Sequence, residues 1–73
     1  MAERIVVDGA FQTTDGAWRV EATRRGHGRH AARWYRIVHG EDVIDWLAIA
    51  QVQRILAEAD VDMGTLVEVG PAA

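Results

Sequence analysis

The stretch "EDVIDWLAIAQVQRILAEAD", residues 41–60, decides the fold. Read as one helix starting at Asp42, it splits its apolar residues into two stripes. One stripe is Ile44, Ala48, Val52, Ile55 and Ala59; the other is Val43, Trp46, Ala50 and Ala57. From Ile49 onward the pattern is cleaner. Ile49, Val52, Ile55, Leu56 and Ala59 share one face, and Gln51, Gln53, Arg54 and Glu58 point away from it, the 3.6-residue period of an amphipathic helix. A change of period inside one run marks a change of element. The favoured reading is therefore a short strand "VIDWL" over 43–47, entered through a turn at "HGED", and a helix over about 48–60.

Upstream, residues 4–25 read as a β-hairpin. Asp15-Gly16 is a two-residue turn signal, because glycine supplies positive φ without steric cost. Pairing outward from it sets Thr14 opposite Ala17, Thr13 opposite Trp18, Phe11 opposite Val20 and Gly9 opposite Ala22. One face then collects Ile5, Val7, Phe11, Trp18, Val20 and Ala22, and the other Val6, Asp8, Gln12, Arg19, Glu21, Thr23 and Arg25. This period-2 sorting fixes the register, with Gly9 a candidate bulge. "GHGRHAA" (26–32) reads as a loop. "RWYRIVH" (33–39) reads as a third strand with Tyr35 and Ile37 toward the core and Trp34, Arg36 and Val38 facing away; the opposite phase would bury Arg36. The tail "VDMGTLVEV" reads as a short helical turn or an edge strand. The expected fold is α+β over a single domain, 1–73: a small antiparallel β-meander of three or four strands with one amphipathic helix packed on one face.

Composition narrows the function classes. The chain has 73 residues, no cysteine and no serine, so disulfides, thiolate metal ligands and the commonest hydroxyl nucleophile are excluded. No apolar run approaches the ~20 residues of a membrane helix, and the N-terminus "MAERIVVDG" lacks a signal-peptide pattern; we expect a cytoplasmic protein with no membrane partner. Its basic residues are eight arginines and no lysine, a bias that suggests a GC-rich bacterial or phage genome. Charge is segregated: residues 1–21 carry −2, residues 22–40 carry +5, and residues 41–73 carry −6. Such halves can satisfy each other within one fold, across a dimer, or by presenting a basic patch to an anionic partner.

The basic segment supplies the candidate binding face: Arg19, Arg25, Trp34 and Arg36 on the sheet face away from the helix, with Arg29 in the loop. Arginine reads phosphate and guanine edges bidentately, and tryptophan offers a stacking plane for a base. In outline, "AWRVEATRR", a loop and "RWYRI" followed by a helix resembles domains that lay a three-stranded sheet in the DNA major groove, such as plant AP2 domains and integrase arm-binding domains. The resemblance spans residues 11–59 and implies nucleic-acid binding through that sheet face.

His27, His30 and His39 raise a metal reading, but the first two sit among arginines whose charge opposes a cation, and solvated histidines explain them. No phosphate loop or nucleophile elbow is present, and Asp42, Asp45, Asp60 and Asp62 fall at element ends, where capping explains them. We therefore expect no catalytic residues, metal or cofactor. Trp46, Val6, Val38 and Leu47 are more apolar surface than one short helix covers, unless Leu66, Val67 and Val69 close over them. The leading expectation is a small non-enzymatic binding or regulatory module acting through protein–protein interaction or self-association. The alternative is a nucleic-acid-binding protein using the Arg/Trp face.

Overall fold

The computed structural model describes residues 5–26 and 32–70. The elements run β1 (Ile5–Gln12), β2 (Trp18–Arg25), β3 (Ala32–His39), β4 (Asp42–Leu47), α1 (Ile49–Glu58), a 3₁₀ turn (Met63–Thr65) and β5 (Val67–Val69). They build one antiparallel sheet in the order β4-β3-β2-β1-β5. The first four strands form the expected meander, and the tail returns to pair with β1, so the sheet has a fifth strand. The two readings of "VDMGTLVEV" are both realised in succession, a 3₁₀ turn and then an edge strand.

The strand-to-helix switch in 41–60 falls at Ala48. Its N–H donates to the Gln51 Oε1 at 2.8 Å, half of a capping box that needs no side chain from Ala48 itself. The helix stops in a Schellman motif. Asp60 adopts φ +60°, its N–H donates to the Ala57 carbonyl, and the Val61 N–H donates to the Leu56 carbonyl at 2.8 Å. Val61 then turns inward onto the core. That core is Val20, Ile37 and Leu47 from the sheet against Val52 and Leu56 from α1, with Trp18, Tyr35, Ile55, Met63 and Leu66 packed around them.

The hairpin register holds from Gln12–Arg19 to Gly9–Ala22, but two details differ from expectation. First, the loop is longer than two residues. The Thr13 N–H donates to the Trp18 carbonyl at 2.9 Å and closes a four-residue loop, Thr14–Ala17. Asp15 organises it by accepting from the Thr13 hydroxyl at 2.6 Å and from the Ala17 N–H at 3.0 Å, while Gly16 takes φ +75°. The Asp-Gly signal is therefore used, but inside an Asx-type loop. Second, the bulge expected at Gly9 falls one residue earlier: Asp8 is the extra residue between the pairs Val7–Thr23 and Gly9–Ala22. This bulge swaps the faces of everything before it. Val7 lies opposite Thr23 on the side away from the helix, and Val6 lies opposite Arg24, the reverse of strict alternation.

The third strand has the expected phase: Ile37 pairs with Val20 on the helix side, and Arg36 and Trp34 pair with Glu21 and Thr23 on the other. No helix among the described residues is long and apolar enough to cross a membrane.

Leu56 has no exposed surface and joins α1 to the sheet. Leu56→Ala should lower the unfolding free energy by about 2–5 kcal/mol, whereas Val67→Ala, at a 49% exposed position, should change it by less than about 1 kcal/mol. Urea denaturation at neutral pH measures both.

Candidate functional site

The sheet face away from α1 brings together four of the five expected binding residues. Arg19 and Arg25 stand on β2, and Trp34 and Arg36 on β3; Arg29, like His27 and His30, lies outside the described residues. Proximity does not leave the arginines free. Glu21 lies between them with one carboxylate oxygen for each neighbour: the Arg19 Nε donates to Oε2 at 2.9 Å, and the Arg36 Nε donates to Oε1 at 2.7 Å. Arg19 also reaches the Gln12 side-chain oxygen at 3.4 Å.

Arg25 is the most enclosed of the three, with 3% of its side chain exposed. It donates to the Asp45 carboxylate at 2.5 Å. Arg36 Nη1 stands 4.0 Å from the other Asp45 oxygen. The Trp46 ring covers the Arg25 guanidinium at 4.0 Å, a cation–π contact, and meets Trp34 edge to face with ring centroids 5.6 Å apart. Beneath this layer Thr23 is fully buried and donates to the Trp34 carbonyl at 2.9 Å. The face is thus a connected layer of ion pairs roofed by an indole rather than a row of open cations.

Trp46 reaches this position through strained backbone. Its φ of +59° is a left-handed conformation that a bulky residue rarely adopts. It sits where the β3–β4 register shifts between Tyr35 and Ile37. The Asp45 carboxylate accepts from the Trp46 N–H at 2.9 Å, which helps fix the turn. Sequence reading assigned Asp45 to capping and Trp46 to surplus apolar surface. Both belong to this layer, and only the bulge puts consecutive residues on one face.

The carboxylates carry the electrostatic signature. Burial pushes Glu21 up, but hydrogen bonds and charge from Arg19 and Arg36 more than offset it and hold the carboxyl below its ordinary value. Asp45 is lowered first by the Arg25 hydrogen bond, against a smaller opposing effect of burial. A second pair of arginines, Arg24 and Arg33, reaches Asp8 at 3.2 and 3.4 Å. The bulge that exposes Asp8 thereby serves the basic end of the sheet.

The helix side holds a feature that sequence reading did not single out. Between the first turn of α1 and the 3₁₀ turn, an open groove of about 270 Å³ is lined by Phe11, Val20, Tyr35, Ile49, Met63 and Leu66. Phe11 and Ile49 remain 37% and 44% exposed. Its border is acidic. Glu68 stands opposite Phe11 in the β1–β5 pairing, and Asp62 caps the 3₁₀ turn by accepting from the Gly64 N–H at 2.8 Å. Among the described residues, no group of three or more His, Asp or Glu side chains could hold a metal ion.

Groups whose folded pKa is depressed stabilise the fold above their unfolded pKa of about 4 and lose that contribution as pH falls through the lower folded value. Glu21→Gln should therefore lower the unfolding free energy at neutral pH by roughly 1–3 kcal/mol and flatten its decline between about pH 6 and pH 2. Urea titrations at a series of pH values read both effects.

No protein-family model matches the chain, and neither a curated protein nor a solved structure matches it significantly.

Proposed function

We propose that this chain is a small non-enzymatic protein-binding module whose docking surface is the groove between α1 and the 3₁₀ turn. One observation carries the reading: six apolar side chains line an open groove in a chain of 73 residues, where uncovered apolar surface is a poor use of a small core. The occupant it suits is a protein segment that inserts a large apolar side chain flanked by basic residues. The insert follows from the lining. The basic flanks follow from charge, since residues 58–70 carry Glu58, Asp60, Asp62 and Glu68 and no arginine. Electrostatic complementarity of this kind sets partner choice and encounter rate.

The nucleic-acid alternative rests on the opposite face and has less support. Arg19, Arg25 and Arg36 already bond Glu21 and Asp45, so a phosphate backbone would compete with internal carboxylates, and the whole chain carries −3. Trp34 and Trp46 supply stacking surfaces, but among the described residues few uncommitted cations accompany them.

A phage-displayed peptide library panned on the folded protein should enrich sequences with a large apolar residue between arginines or lysines, and Ile49→Asp should abolish their capture. No enrichment, or enrichment that Ile49→Asp leaves intact, would overturn the reading. Fluorescence anisotropy with mixed duplex and single-stranded oligonucleotides should show no binding at low salt; salt-dependent binding lost in Trp34→Ala would favour the alternative.

A further inference from the structure

The outer edge of β4 gathers three large exposed apolar side chains within four residues: Val43, Ile44 and Trp46, at 56%, 42% and 48% exposure. They do not share a face. Ile44 pairs with Ile37 on the helix side, Val43 pairs with Val38 on the other, and Trp46 lies with Trp34 and Arg25 on that second side. A layer placed on either face would cover one set and leave the other wet. Only a strand added to the edge flanks both, because its side chains alternate between the same two faces. β4 is the terminal strand of the sheet, and its sequence "DVIDWL" has no Lys, Arg or Pro, the residues that commonly guard an edge. The left-handed Trp46 ends the regular stretch, leaving Val43–Asp45 to pair.

We propose that β4 pairs with β4 of a second copy of this chain, antiparallel and two-fold symmetric about Ile44, joining two sheets into one. Charge selects this occupant. The edge begins acidic with Glu41 and Asp42, neither of which has a salt-bridge partner among the described residues. It ends beside the arginines of β3, Arg33 and Arg36. On the face that Trp46 roofs, three guanidinium groups (Arg19, Arg25, Arg36) meet two carboxylates (Glu21, Asp45), an excess of one positive charge. Antiparallel pairing carries the acidic start of each β4 to the basic end of the other, whereas parallel pairing would set like charges side by side. An isologous contact closes at two copies, and the Ile44 side chains meet at the axis. The segregation of +5 in residues 22–40 from −6 in residues 41–73 is then partly answered between chains.

Sedimentation equilibrium from about 10 µM to about 1 mM should show the wild-type mass rising from monomer to dimer, with the midpoint moving upward as salt is added. Ile44→Lys should raise that midpoint at least about tenfold while leaving the circular dichroism spectrum and thermal melt unchanged at or below about 10 µM, where both proteins are monomers, because Ile44 is exposed in the single chain. Val43→Glu should act in the same direction from the other face. Ile49→Asp, in the groove, should leave the dimer intact, so this proposal fails or stands separately from the peptide-docking one. A wild-type monomer across the range, or a dimer that Ile44→Lys and Val43→Glu do not weaken, overturns it.

Discussion

The carboxylate of Glu21 is the interaction on which the second face of this sheet depends. A single sheet covered by a single helix has one face that packs and one that must coexist with water. Here the second face carries three arginines on adjacent strands, which would repel one another and draw water into the layer above Thr23. Glu21 stands between two of them and accepts from both, and Asp45 holds the third. Each partner makes the other affordable, since burial disfavours the charged form of every member alone. The arrangement lets Thr23 and Arg25 lie as deep as hydrophobic core residues without a second layer of secondary structure.

A basic, tryptophan-bearing sheet face reads in sequence as a surface for anions, but here its cations are structural counter-ions and its indoles are their roof. The uncommitted surface lies elsewhere, in the groove where Phe11 and Ile49 stay open and along the β4 edge where apolar side chains emerge on both sides. Both are apolar surface that one short helix leaves uncovered.

Much of this was legible in the residues. The change of period at Ile49 separated strand from helix, and the cost of burying an unpaired Arg36 set the phase of β3. The tail does not close over the surplus apolar residues as one reading allowed: Leu66 packs on the cluster that holds Leu47, but Val67 stays out and Trp46 and Val6 remain exposed. What escaped was local geometry that shifts register. The Asp8 bulge reverses the faces of Val6 and Val7, and the left-handed Trp46 places Asp45 and Trp46 on one face where alternation puts them on two. Gly9 announced the first to within one residue, although the resulting exchange of faces was not drawn from it; no glycine marks the second. Glu21 was visible on the basic face, but its bridging role requires the β2–β3 register that sets Arg36 directly opposite. The groove was hidden for a different reason: its lining comes from β1, β2, β3, α1 and the 3₁₀ turn, and no window of sequence contains such a set.

The arginines of this face are held by internal carboxylates, and the carbon-13 chemical shift of the Glu21 side-chain carboxyl, followed by NMR as a function of pH in the folded protein, reports whether they are. A carboxylate bridging two guanidinium groups titrates below the ordinary glutamate value of about 4.3. A midpoint at or above that value would mean that burial prevails over the arginines, that the pairs do not persist in solution, and that the cations are free for a partner after all.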